Sequence, residues 1–283
     1  MTEKIADIMT KNPALLKLPA LKSDALKLMK KHNVTGIPVV NEKSEFVGIV
    51  TRRDIFEKPN EDQIAMLLRS DAPFLHEDDD IKKGIELFRT THRRHIVVLN
   101  KDKKVIGIVT PYDYLKILVR KKINKPVENY IKSPCILIYS KTPVKIVFKL
   151  ITLTKLNAFP IVDDDATLVG VVTDKDLIDN ARIEIKESES TIGLGEDEDS
   201  WTWEGMRNIL NIEYKEEKIE FPKVPVEKIM AKNPVDIILK TPVYKAAKIM
   251  VDKNFSQLPV KNSNNDLVAM IYDIDMLDSL MEV

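Results

Sequence analysis

The stretch Gly48-Ile49-Val50-Thr51-Arg52-Arg53-Asp54 returns as Gly107-Ile108-Val109-Thr110-Pro111-Tyr112-Asp113 and as Gly170-Val171-Val172-Thr173-Asp174-Lys175-Asp176. A worn copy follows at Ala269-Met270-Ile271-Tyr272-Asp273-Ile274-Asp275. Each copy is a short apolar run, a hydroxyl, and an Asp three residues on. That pattern reads as a buried strand turning directly into a helix. A chain that repeats one strand-to-helix corner four times is a repeat protein, and its function is to be sought at the corners.

The spacing defines the units. Thr51 to Thr110 is 59 residues, Thr110 to Thr173 is 63, and Thr173 to Tyr272 is 99. With a repeat of about sixty residues, the last gap carries an insertion of about forty. The first unit, 5–56, predicts strand, helix, strand, strand, helix. Residues 14–18 form its first strand, and Ser23 reads as the N-cap of its first helix. Gly36–Val40 is a buried strand whose Pro38 predicts an edge or an irregular start. The other units are placed at 71–119, 127–179 and 226–281. Units one and four align without a gap at an offset of 221, which carries Ile8-Met9 onto Ile229-Met230, Asn12-Pro13 onto Asn233-Pro234, and Asp54 onto Asp275.

Lys+Arg and Asp+Glu both number 44, so net charge favours neither nucleic acid nor membrane. The balance hides an asymmetry. Residues 1–122 hold 24 basic and 17 acidic side chains, whereas 181–222 hold 5 and 12. This acidic insertion belongs to no unit and carries Glu196-Asp197-Glu198-Asp199 beside Trp201 and Trp203. An acidic run is ordinarily a solvated surface, but the tryptophans predict a segment that docks on the body, where it could screen a basic cleft. The single Cys135 excludes an internal disulfide and a thiolate metal cluster, and it suits a reducing cytoplasm. No apolar run approaches a membrane span, and no leader pattern opens the sequence.

Four such units, with corners like Gly-Ile-Val-Thr-x-x-Asp and the Gly36-Ile37-Pro38-Val39-Val40 stretch, resemble cystathionine-β-synthase (CBS) domains over nearly the whole chain except 181–222. The resemblance implies an α+β fold of four CBS repeats paired into two Bateman modules, 1–122 and 123–283. This is the arrangement of the γ subunit of AMP-activated protein kinase and of many archaeal stand-alone proteins. It further implies non-catalytic regulation by adenosine compounds (AMP, ADP, ATP or S-adenosylmethionine) bound in clefts between paired units. A regulated partner protein, and a homodimer as an open option, come with it. In nucleotide-binding members, basic residues just before the Gly-Ile-Pro-Val-Val-like strand contact phosphates, and Arg93 and Arg94 match that place.

The corner chemistry stands beside the resemblance. A helix start offers free N–H groups and a positive dipole end to phosphate, and an Asp can accept from both ribose hydroxyls. The glycine before the corner would let a ligand approach. The competing reading is a capping box, Thr on the third amide and acid reaching back. On these grounds the candidate nucleotide-binding residues are Thr51, Arg53, Asp54, Arg93, Arg94, Thr110, Asp113, Thr173, Lys175, Asp176 and Asp275. Arg93 and Arg94 with His92 and His95 form an anion clamp, which points to the first module as the best phosphate site. Tyr272 in place of Thr puts the fourth site in doubt. No nucleophile–base pair or phosphate loop is evident, and without aromatic interleaving nucleic-acid binding is a minor alternative. An interaction scaffold whose corners are only caps is the other alternative.

Overall fold

The computed structural model describes residues 3–191 and 211–282. Unit one holds α1 (Ile5–Ile8), β1 (Thr10–Lys11), β2 (Leu16–Lys17), α2 (Lys22–His32), β3 (Gly36–Val40), β4 (Phe46–Thr51) and α3 (Arg52–Glu57). Unit two holds α4 (Ile64–Leu67), β5 (Phe74–His76), α5 (Ile81–Thr91), β6 (Ile96–Leu99), β7 (Val105–Val109) and α6 (Pro111–Lys121). Unit three opens on a 3-10 turn, Val127–Tyr130, followed by β8 (Ile138–Tyr139), α7 (Val144–Thr154), β9 (Ala158–Val162), β10 (Leu168–Thr173) and α8 (Asp174–Asn180). An antiparallel ribbon follows, β11 (Arg182–Thr191) with β12 (Asn211–Glu220). Unit four has its own 3-10 turn, Val226–Lys228, then β13 (Ala231–Lys232), β14 (Ile237–Ile238), α9 (Val243–Lys253), β15 (Gln257–Lys261), β16 (Leu267–Tyr272), α10 (Asp273–Met276) and α11 (Asp278–Met281).

The strand–helix–strand–strand–helix order holds in every unit, with local corrections. Pro38 lies in the middle strand of the β2-β3-β4 sheet, not on an edge. It fits because β2 pairs only from Leu16↔Val39 onward, so the strand has not begun opposite Pro38, where an N–H would be needed. Pro160 and Pro259 sit in the same place, one residue before the pairs Ile138↔Ile161 and Ile237↔Val260. Unit two has Val97 there, and its edge strand reaches one residue further, to Phe74↔Val97. The proline thus trims the edge strand to two residues. Ser23 is not a cap. The helix begins at Lys22, and Asp24 Oδ2 accepts the Leu21 N–H at 3.0 Å. Unit two starts at α4, before the expected residue 71.

Pairing comes from an exchange of leaders. Lys4 bridges to Asp80 at the cap of α5, and Leu21 at the cap of α2 bridges to Gln63. The bridges Pro126–Pro242 and Pro143–Pro225 repeat this between units three and four. Strand β1 extends the sheet of unit two beside β7, and β13 extends that of unit three beside β10. Apolar sheet faces then close each pair: Ile49, Val97 and Ile108 join units one and two, and Ala158, Val171 and Met270 join units three and four.

Helices join the two pairs. Helix α6 packs on α9 within one core that includes Phe88 and Leu118 of unit two and Met250 and Leu258 of unit four. Tyr112 Oη donates to the Val251 carbonyl at 3.1 Å across this seam. On the other side Phe56 of unit one meets Phe148 edge-on at 5.1 Å and Phe221 at 6.3 Å. Unit one therefore faces three, and unit two faces four. The foot of the ribbon, through Ile219, packs on the core of unit one. The acidic run and both tryptophans lie outside the described residues, so the docking expected of the insertion falls there too.

Phe56 is 2% exposed. Replacing it with Ala removes the aromatic contact between units one and three, and the expected cost is about 3–5 kcal/mol. Urea unfolding measures it; a loss below about 1 kcal/mol would show that this seam bears little of the stability.

Candidate functional site

All three Thr corners form capping boxes. The N–H and Oγ1–H of Thr51 donate to Asp54 Oδ2 at 2.8 and 2.6 Å. Thr110 does so to Asp113 Oδ2 at 2.8 and 2.9 Å, and Thr173 to Asp176 Oδ2 at 2.8 and 2.7 Å. The box consumes one carboxylate oxygen and leaves the other to the cleft, so what each corner can bind depends on that second oxygen.

Leader exchange decides its fate. Each corner faces the leader of its sister unit, and one leader position recurs there as Thr10, Arg69, Lys132 and Ala231. Arg69 Nε donates to Asp54 Oδ1, and its Nη2 reaches Glu57 at 3.0 Å. The Asp54 corner is thereby filled. Thr10 Oγ1 reaches Asp113 Oδ1 at a long 3.5 Å. Lys132 pairs with Asp278 and lies close enough to oppose the burial that raises the pKa of Asp275. Ala231 has nothing to offer, and among the described residues no donor reaches Asp176 Oδ1.

The corner glycine has a different task from the one expected. A Cβ on Gly107 would lie 2.5 Å from Met9 Sδ of the sister leader. The missing side chain admits that leader, and the seat is taken by protein instead of ligand.

A polar cluster occupies the place where the four units meet. Arg52 of unit one is 3% exposed; its Nη2 donates to the Val34 carbonyl at 3.3 Å, and its Nη1 stands 3.7 Å from Asp174 of unit three. Arg53 Nη2 donates to Asn157 Oδ1 at 2.7 Å and to the Lys155 carbonyl at 2.5 Å, both in unit three. Arg94 of unit two grips both oxygens of Asp273 in unit four, at 2.8 and 2.7 Å. His95 shares a 2.7 Å hydrogen bond with Thr35, and its ring packs on Gly36, where a Cβ would come within 2.9 Å. Burial and the guanidinium groups of Arg94, Arg52 and Arg53 push the His95 pKa down to about 3, so the ring is neutral at physiological pH. Burial raises the pKa of Asp174 and Asp273 against the opposing pull of the arginines.

The expected Arg93–Arg94 clamp is divided. Arg94 points into the centre, whereas Arg93 pairs with exposed Asp71 at 3.4 Å. Arg53 reaches the same centre through its contacts to unit three. Lys175 stands exposed on α8. His92 is exposed and caps α5 in the left-handed conformation, φ 52°. Tyr272 is buried and donates to the Ala158 carbonyl of unit three at 3.3 Å. Arg69, Asp174 and Asp273 escaped the sequence reading. The repeat offsets of 59, 122 and 221 would have set Thr10, Arg69, Lys132 and Ala231 in one column, which was the available signal.

The fold and site together define a repeat protein of two interlocked unit pairs, with its polar residues turned to a shared centre. The CBS domain family model matches residues 5–61, 64–120, 127–182 and 226–282, and the chain belongs to the CBS-domain family. Methanocaldococcus jannaschii protein MJ1225 is 24% identical over 197 residues, covering 63% of this chain and 70% of that protein. Its crystal structure superposes with a TM-score of 0.76 at 22% identity, over 98% of this chain and 100% of that one. A Pyrococcus horikoshii protein is 26% identical with a TM-score of 0.65, again over 98% of this chain and 100% of the other. Among the described residues no helix is long and apolar enough to cross a membrane.

Burial raises the Asp275 pKa to about 6, with neighbouring Asp273 adding to the effect and Lys132 and Arg94 opposing it. A carboxyl whose folded pKa lies above its ordinary 3.8 favours the fold when protonated, so its contribution is lost as pH rises through about 6. Asp275→Asn should therefore stabilise the protein at pH 7.5 by on the order of 2 kcal/mol and change little at pH 4. Thermal unfolding at both pH values checks this. Equal effects at the two would mean that the carboxyl is not strained by its charge.

Proposed function

We propose that this protein is a non-catalytic regulatory sensor of an adenosine compound, built as modules 1–122 and 123–283. The observation that carries the reading is the open second oxygen of Asp176. A carboxylate already fixed by Thr173, with one oxygen free and Ala231 opposite, is preorganised to accept ribose hydroxyls. Asp174 lies two residues earlier in α8, so the central guanidinium groups adjoin this corner, and a phosphate on the ribose would turn toward Arg52, Arg53 and Arg94. Thr173 and Lys175 complete the candidate site.

Asp113 with Thr110 is the second candidate, since Thr10 holds its free oxygen only weakly. Asp275 must first lose or balance its own charge cost. Asp54 with Thr51 would bind only after Arg69 leaves, and Arg93 would act from the rim. The relative MJ1225 is described as a candidate archaeal homologue of γ-AMPK, which agrees with a sensing role. The filled Asp54 corner favours a second reading, a scaffold whose corners serve as caps alone.

Calorimetry with AMP, ADP, ATP and S-adenosylmethionine distinguishes the two. At least one compound should bind, and Asp176→Ala should weaken it by about 1–3 kcal/mol, the loss expected when hydrogen-bond partners are removed. Asp54→Ala should change affinity much less. Binding that is indifferent to Asp176 would remove the ribose role, and no binding by any of the compounds would leave the scaffold.

A further inference from the structure

The centre holds its three arginines unequally. Arg94 is locked in a two-pronged pair with Asp273, whose side chain is 1% exposed. Arg53 spends its Nη2 on unit three. Arg52 is different: its Nε and Nη1 are buried and have no hydrogen-bond partner, because Asp174 stops at 3.7 Å. Buried guanidinium donors without acceptors are costly. Nε and Nη1 lie on different edges of the guanidinium, so an oxyanion that met either one would relieve part of that cost through a charge-assisted bond.

We propose that Asp174 and Asp273 are specificity-determining residues that restrict the centre to a single phosphate group, so that the site takes nucleoside monophosphates in preference to polyphosphates. This rests on the adenosine-sensing reading above and refines it. Charge sets the limit: Asp174 stands 3.7 Å from Arg52 and Asp273 takes Nη2 of Arg94, so each carboxylate competes with phosphate for its guanidinium.

Three guanidinium groups face two carboxylates, which leaves one positive charge in surplus. A monophosphate brings about −1.5 to −2 at neutral pH, and each added phosphate brings more. The surrounding charges do not enlarge the surplus. Arg69 is engaged by Asp54 and Glu57, Lys132 by Asp278, and Asp275 faces Arg94, Lys132 and Asp273. The two carboxylates come from units three and four, whereas the arginines come from one and two. Each module thus limits the charge that the other can accept.

The test is calorimetry of adenosine, AMP, ADP and ATP without divalent cations, on the full chain and on Asp174→Asn and Asp273→Asn. The wild type should bind AMP at least tenfold tighter than ATP. Each Asn variant should tighten ATP about tenfold or more, shift AMP by less than threefold, and leave adenosine unchanged. Should Asp273→Asn unfold, because it leaves Arg94 buried without its partner, Asp174→Asn and the wild-type series still decide. ATP binding as tightly as AMP in the wild type overturns the proposal. Variants that weaken all four compounds equally also overturn it, since the carboxylates would then serve only the fold. If adenosine binds and depends on Asp176 while AMP gains nothing over it, the sensing reading stands and this inference fails. If none of the four binds the wild type, the sensing reading itself fails.

Discussion

Four hydrogen bonds and ion pairs close a ring at the middle of this protein, and the rest of the structure depends on it. Thr35 meets His95 between units one and two, and Arg94 meets Asp273 between two and four. Tyr272 meets the Ala158 carbonyl between four and three, and Asp174 approaches Arg52 between three and one. Each contact starts within two residues of a strand–helix corner or of the start of the strand beside it. Polar groups at the heart of a packed assembly need partners; here these four contacts supply them across the units, while Nε and Nη1 of Arg52 are left without a hydrogen bond. Apolar burial holds the seams, through Ile49, Val97 and Ile108 on the sheet side and Phe56 and Phe148 on the helix side. The ring places one polar contact on each of the four seams.

One sequence motif performs two tasks at these corners. The Thr and the first carboxylate oxygen start the helix, as a capping box would in any protein. The second oxygen is then assigned by a residue in the leader of the sister unit, 15 positions away for Asp54 and 103 for Asp113. With Arg69 that oxygen is neutralised, with Thr10 it is lightly held, and with Ala231 it is left open. The capping and ribose readings are therefore compatible at one corner and exclusive at another, and the leader makes the difference. The repeat supplies similar corners; the residue at a single leader position decides whether the second oxygen is paired.

The repeats, their order and the corner geometry were legible because they depend on local patterns: apolar alternation, glycine and proline placement, and Thr-x-x-Asp. Pro38 was legible as a constraint but not as a position, since its tolerance rests on where β2 begins in the pairing. Ser23 is not the cap, because the chain enters α2 two residues earlier than its sequence suggests, and Asp24 reaches back to Leu21. The Arg93–Arg94 pair could not be resolved from adjacency alone; the chain bends at Arg94 between α5 and β6, and only Arg94 reaches unit four. The leader's role and the carboxylates of units three and four arise from contacts up to 179 residues apart. No window along the chain contains such pairs, although the repeat offsets place the leader residues in register.

The central claim is that the open corner of unit three and the central guanidinium cluster form one ligand site. A crystal structure of the full chain grown with AMP tests it most directly. The account predicts ribose density against Asp176 and a phosphate against the Arg52 guanidinium, with Arg69 still on Asp54. AMP seated at the Asp54 corner with Arg69 displaced, or bound away from Asp176 and Arg52 altogether, would contradict it.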